Sequence, residues 1–167
     1  MSVDTSAIKG TVHVVLTGPD GQVKAEETVD NLVTAVGDQT YASRGAGLTT
    51  SVTPTGMRLG TGATAVAKTG LGAAVVTYLL TSNRAFDATF PSCVNGVVTY
   101  RRTYAPGEAT SAGAITEAVI NTDVITSDNA TTATAANTTA RVLLAGIGSK
   151  AAGDTLTITW THTLLGA

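Results

Sequence analysis

Apolar and polar residues alternate strictly over 155–164. Threonine takes every second position from Thr155 to Thr163, and Leu156, Ile158, Trp160, His162 and Leu164 take the others. Side chains of a strand point alternately to its two faces, so this run predicts a half-buried β-strand, one face on a core and the other on water or a neighbouring chain. The same period gives strands over 8–17 and 22–29, joined at Gly18-Pro19-Asp20-Gly21, where proline presets φ and glycine accepts a positive one. Short strands follow at 57–59, 74–80 and 84–90; a hairpin at Asn95-Gly96 leads into 97–104, and 114–120 and 139–147 complete the set. The period changes over 31–44, which predicts a helix with Asn31 or Thr34 as N-cap, Leu32, Val36 and Tyr41 as its apolar stripe, and Gly45 as its stop. Gly37 weakens that helix. Together these elements predict a mainly β fold: an antiparallel, jelly-roll-like β-sandwich with one short α-helix near residues 32–44. The chain reads as a single domain over 1–167, with a short N-terminal arm (1–7) and a polar, low-complexity loop or arm at 122–138.

Composition narrows the function classes. Charged residues make up 13% of the chain, against about 25% in ordinary soluble domains, and aromatic residues 4%. A weakly charged surface rich in small residues suits a subunit covered by neighbours better than a solitary monomer. The net charge of −2 and a pI near 5.5 do not suggest a nucleic-acid binder. The one adjacent basic pair, Arg101-Arg102, falls in a strand that sends its members to opposite faces. Cys93 is the single cysteine, so neither an internal disulfide nor a zinc site is expected. MSVDTSAIKG has no basic region ahead of an apolar run, so neither a signal peptide nor a membrane span is expected.

Candidate chemistry is sparse. Residues 62–69, GATAVAKT, depart from the phosphate-loop pattern at Ala67, where a Cβ obstructs the approach of phosphate to backbone amides. Gly60-x-Gly62-x-x-Ala65 resembles a dinucleotide fingerprint as loosely, and both read as a Gly/Ala/Thr loop with Lys68 in solvent. His162 shares the parity of Leu156 and Trp160 and reads as a histidine at the core rim bonded to backbone, whereas His13 reads as outward. Glu26-Glu27, Asp123 and Asp128 lack the spacing of a calcium loop, and no G-x-S-x-G elbow marks a nucleophile. The threonine ladder occupies one strand, so it reads as strand propensity rather than an ice-binding face. No catalytic, cofactor-binding or metal-ligating residues are expected, and the chain reads as no enzyme.

The order of several weak motifs resembles a family of small virion proteins of tailed bacteriophages, the capsid decoration (cement) and tail-associated structural proteins. They are the N-terminal hairpin, the NLVT box of 31–34 running into a short helix to Arg44, the strand and loop of 57–62, Leu71 in KTGLGAA, AITEAV at 114–119, and the ending at 139–160. After Glu117 the family tends to glycine and an aromatic, where this chain has Ala118, Val119 and Ile120. The resemblance implies a β-sandwich without catalysis or cofactor, placed on the capsid surface of a virion assembled in the host cytoplasm. Its partners would be the major capsid protein and further copies of itself, as a dimer or trimer, with no direct contact to nucleic acid or membrane. A tail component or head fibre is the alternative within virions. A carbohydrate-binding or adhesin module, with Tyr78, Tyr100 and Tyr104 as stacking rings, is the alternative outside them.

Exposure and composition select four contact elements: the arm 1–7 and the loops 45–54, 106–113 and 122–138. The candidate interface residues are Met1, Ser2, Val3, Asp4, Thr49, Thr50, Pro106, Glu108, Thr126, Asp128 and Asn129.

Overall fold

The computed structural model describes residues 8–49, 52–123, 125 and 134–164. β1 (Lys9–Thr17) and β2 (Val23–Val33) form the first hairpin. Its turn is closed by Gly21 N–H donating to Gly18 O (3.0 Å) and Gly18 N–H to Gln22 O (2.8 Å). α1 (Ala35–Gly45), β3 (Gly56–Gly60), β4 (Arg84–Ala85), β5 (Ser92–Val94), β6 (Val97–Tyr104), β7 (Glu117–Asn121), β8 (Thr138–Leu143) and β9 (Thr155–Thr163) follow. The described strands make one antiparallel sheet in the order β4-β3-β7-β8-β2-β1-β9-β6-β5. It curls into a half-barrel around its main core, a smaller cluster of Val75 and Val119 lies apart from it, and α1 is the one α-helix among the described residues.

Alternation decides which faces meet. β1 lies between β2 and β9, and its register sets Val12 beside Trp160, Val14 beside Ile158 and Leu16 beside Leu156. All six are buried, and Tyr100 and Tyr104 of β6 join them. The other half supplies Met57 and Leu59 from β3, Ala118 and Ile120 from β7, and Ala140 and Val142 from β8 to the same core. Removing this much apolar surface from water is the main force holding the curl. β2 joins the halves, because it pairs with β1 for most of its length and then, at Leu32 and Val33, with Arg141 and Ala140 of β8.

The mainly antiparallel architecture with one helix agrees with the sequence, and several boundaries move. Asn31, Leu32 and Val33 end β2 instead of opening the helix, because their backbone completes ladders on β1 and β8. Of the two N-cap candidates it is Thr34 that caps: its Oγ1 accepts from Gly37 N–H (3.2 Å). The expected apolar stripe is replaced by buried Gly37, Thr40 and Ser43. A Cβ on Gly37 would lie 2.1 Å from Thr139 O, so the glycine that weakens the helix is what lets it seat on β8. Residues 74–80 are no strand and make a single bridge, Tyr78 to Gly60. The expected strand at 84–90 contracts to Arg84–Ala85, while those at 114–120 and 139–147 become β7 and β8. Asn95 (φ 50°) and Gly96 (φ 77°) both take positive φ between β5 and β6, as a two-residue hairpin turn with right-handed strand twist demands.

β4 and β6, far apart in the sheet order, approach each other across a seam. Asp87 N–H donates to Arg101 O (2.8 Å), Thr103 N–H donates to Asp87 Oδ1 (2.9 Å), and Tyr104 hydroxyl donates to Ser82 O (3.0 Å). Glu108 accepts from Arg84 Nε (2.9 Å) and Arg102 Nη2 (2.6 Å).

Candidate functional site

The outer face of β7 carries Glu117, Val119 and Asn121, and every residue of this strand is buried. Residues 61–78 cover that face, and a buried ion pair holds them there. Arg141 Nη2 donates to Glu117 Oε2 (2.7 Å), with both side chains fully inaccessible. Arg141 Nη1 donates to Thr64 O (2.7 Å) and Gly72 O (3.2 Å). Glu117 Oε1 accepts from the backbone N–H groups of Gly62, Val76 and Thr77, each at 3.0 Å. A carboxylate with three amide donors and a guanidinium is a fully engaged charge, which makes burial tolerable. Lys68 O accepts from Ala35 N–H (2.9 Å), tying the loop to the start of α1.

This geometry settles the glycine-rich stretch. The Gly62 amide, the first donor a phosphate would need, serves Glu117, and Lys68 pairs with Asp38 at 2.6 Å. The anion in this loop is the chain's own carboxylate. Braced in this way, the loop turns Leu71 and Val66 outward, 73% and 39% exposed. Leu71 borders a shallow apolar recess with Gly70, Ala74, Val75, Val76 and Ala135.

A second polar centre lies where α1 meets the sheet. Gly10 of β1 stands opposite both Asn31 of β2 and His162 of β9. Its missing side chain leaves room for the two neighbours to meet over it, and a Cβ there would lie 1.7 Å from Asn31 Oδ1. Asn31 Nδ2 is 3.2 Å from His162 Nε2, Tyr41 Oη is 2.5 Å from His162 Nδ1, and Tyr41 Oη is 2.8 Å from Tyr100 Oη. Burial lowers the His162 pKa from 6.5 to about 4, and burial together with the Tyr100 hydroxyl raises that of Tyr41. The imidazole is therefore neutral at pH 7. Its partners are side chains, in place of the backbone expected for it, because Gly10 opens the row. His13 lies on the outer face as expected, 2.7 Å from Glu26. Among the described residues no group of three or more His, Cys, Asp or Glu could hold a metal ion.

No protein-family model, no curated protein and no solved structure matches the chain.

Of the candidate interface residues, Thr49 and Pro106 are exposed. Glu108 is half-buried, its carboxylate engaged by Arg84, Arg102 and Ala105 N–H (2.9 Å). Met1, Ser2, Val3, Asp4, Thr50, Thr126, Asp128 and Asn129 lie outside the described residues. Tyr100 and Tyr104, needed as stacking rings by a sugar-binding module, are 3% and 0% exposed and belong to the core. Sequence reasoning missed the pairing of Glu117 with Arg141 and the outward apolar residues Leu71, Val66 and Val94, and it chose the loop 45–54 without singling out its exposed Leu48 and Val52. A signal for the pair was present: Glu117 begins EAVI and Arg141 sits in ARVLL, each a lone charge in an apolar strand.

Proposed function

We propose that this chain is a structural protein of a bacteriophage virion, a decoration (cement) protein that sits on the outer shell and bridges neighbouring major capsid subunits. The observation that carries this reading is the combination of inward bracing with outward apolar display. Glu117 and Arg141 fix residues 61–78 from beneath while Leu71 stands 73% exposed at the surface. Contact residues held in place before binding lose little entropy on docking, so modest apolar contacts suffice. Leu48 and Val52, both 53% exposed, and Val94, 66% exposed, repeat the display on other loops and on the edge strand.

A clamp needs contact area spread over several neighbours, and effective concentration then makes weak contacts act together. The opposed halves of the half-barrel serve, in this reading, as the two layers of a jelly-roll-like sandwich. The chain associates with itself as a dimer or trimer on the capsid surface. Its mechanism is mechanical: subunits joined through it separate less readily under the pressure of packaged DNA.

The test uses phage heads produced without this chain, mixed with the purified protein and sedimented. The protein is expected to saturate the heads and raise the temperature at which they burst. Leu71→Ser, a change at an exposed position, is expected to leave the fold intact and weaken binding about 10-fold or more, from the apolar burial lost. A correctly folded protein that leaves both sedimentation and bursting temperature unchanged would overturn the reading.

A further inference from the structure

The row Tyr41–His162–Asn31 joins α1 to the sheet through a ring whose two nitrogens are both engaged. An amide nitrogen can only donate, so His162 Nε2 accepts from Asn31 Nδ2 at 3.2 Å, and Nδ1 carries the proton that faces Tyr41 Oη at 2.5 Å. Both nitrogens of a neutral imidazole are engaged in this way. With the Asn31 amide nitrogen facing the ring, a second proton on Nε2 would set one N–H against another, and the charged ring would stand among aromatic side chains. The groups facing the ring are Tyr41 from α1, Tyr100 from β6 with ring centroids 5.6 Å apart, Trp160 of β9 at 6.3 Å, and Asn31 from β2. Cys93 of β5 acts electrostatically on both tyrosines, and β1 contributes Gly10. None of these is a carboxylate that would stabilise an imidazolium.

The two halves of α1 are held differently. Its start is fixed to β8, where Thr34 Oγ1 donates to Thr138 O (2.5 Å) and Gly37 packs on Thr139. Its end carries Tyr41 and leads into Leu48, whose N–H donates to Ser43 O (2.8 Å), and Thr53, which accepts from Arg44 Nη2 (2.5 Å).

We propose that this row is an acid-operated fastening: neutral His162 holds the C-terminal half of α1 on the sheet, and its protonation releases that half together with Leu48 and Thr53. The sign follows from linkage. A ring whose pKa falls from 6.5 to about 4 in the closed state favours closure fully above 6.5, and that advantage is lost as pH drops from 6.5 towards 4. Between pH 7 and pH 5 the opening equilibrium rises about 20-fold. The fastening is a property of the isolated chain, so its failure and the failure of the virion reading are separate outcomes.

Amide hydrogen exchange on the full chain, corrected for intrinsic rates, tests it. Amides 41–45 are expected to lose about 20-fold in protection from pH 7 to pH 5 while those of β1 and β9 keep theirs. Fluorescence of Trp160, the single tryptophan, reports protonation of the neighbouring ring over the same range. His162→Gln should abolish both responses, and Tyr41→Phe should lower protection of 41–45 already at pH 7. Equal protection of 41–45 at the two pH values, or a wild-type response in His162→Gln, would overturn the proposal. Should His162→Gln fail to fold, unchanged protection in Tyr41→Phe at pH 7 would overturn it equally.

Discussion

Glu117 determines what residues 61–78 become. Their apolar, β-branched stretch at 74–80 reads as a strand, and it does run beside β3, with Leu79 N–H donating to Leu59 O (3.0 Å). The Val76 and Thr77 amides turn instead to the carboxylate, and the ladder stops at one bridge. A period-two pattern cannot foresee this, because the competing acceptor lies about forty residues away in sequence. Glu117→Gln would leave Arg141 buried without its counter-charge, a loss of about 3–5 kcal/mol. Urea unfolding and limited proteolysis should show a lower midpoint and new cleavage within 61–78; a change below about 1 kcal/mol would mean that the pair does not brace the loop. Gly10→Ala is expected to cost about 1–3 kcal/mol, since its Cβ would displace Asn31 and disturb the row to His162. Thermal unfolding checks this.

Among the elements, those with a local cause were legible in the sequence. The strict alternation of β9 and the turn residues at 18–21 and 95–96 placed β1, β2, β6 and β9 and both hairpin turns well, though not β5, because turn chemistry and side-chain parity act within a few residues. The helix was legible only in part. Thr34 was among its cap candidates, yet its packing face consists of glycine, threonine and serine seated against the β8 backbone, which no apolar period announces. Thr34 is at once the N-cap and a donor to Thr138 O, and it is fully buried. Thr34→Ala should therefore cost about 1–2 kcal/mol, or several degrees in Tm, with most of the lost protection in α1. Calorimetry with hydrogen exchange measures both. The candidate contact loops were chosen for exposure and composition, and that choice took in Leu48 and Val52 but passed over Leu71, because exposed Leu71 and buried Leu59 look alike in sequence.

For the whole molecule, the seam between β4 and β6 makes stability depend on pH. Burial would raise the pKa of Asp87, but hydrogen bonds from Thr103 and Arg101 outweigh it and hold the carboxyl below its ordinary 3.8. Glu108 behaves likewise: burial raises it, and the Ala105 amide, Arg84 and Arg102 bring it below 4.5. Folded values below unfolded ones give stability that is present above the ordinary carboxylate range and lost as pH falls through the folded values. Urea titrations below pH 4.5 should show this loss, and Asp87→Asn should reduce it. The His162 effect, between 6.5 and about 4, should remain in that variant.

In the proposed virion role, the chain's polar groups brace it internally so that its apolar loop tips can dock on a shell. Imaging of virions assembled in cells that produce this chain, at a resolution that places its fold, is the decisive test. Density is expected on the outer capsid surface, with Leu71 against a major capsid subunit. Density confined to the tail, or virions that contain none of the chain, would contradict it.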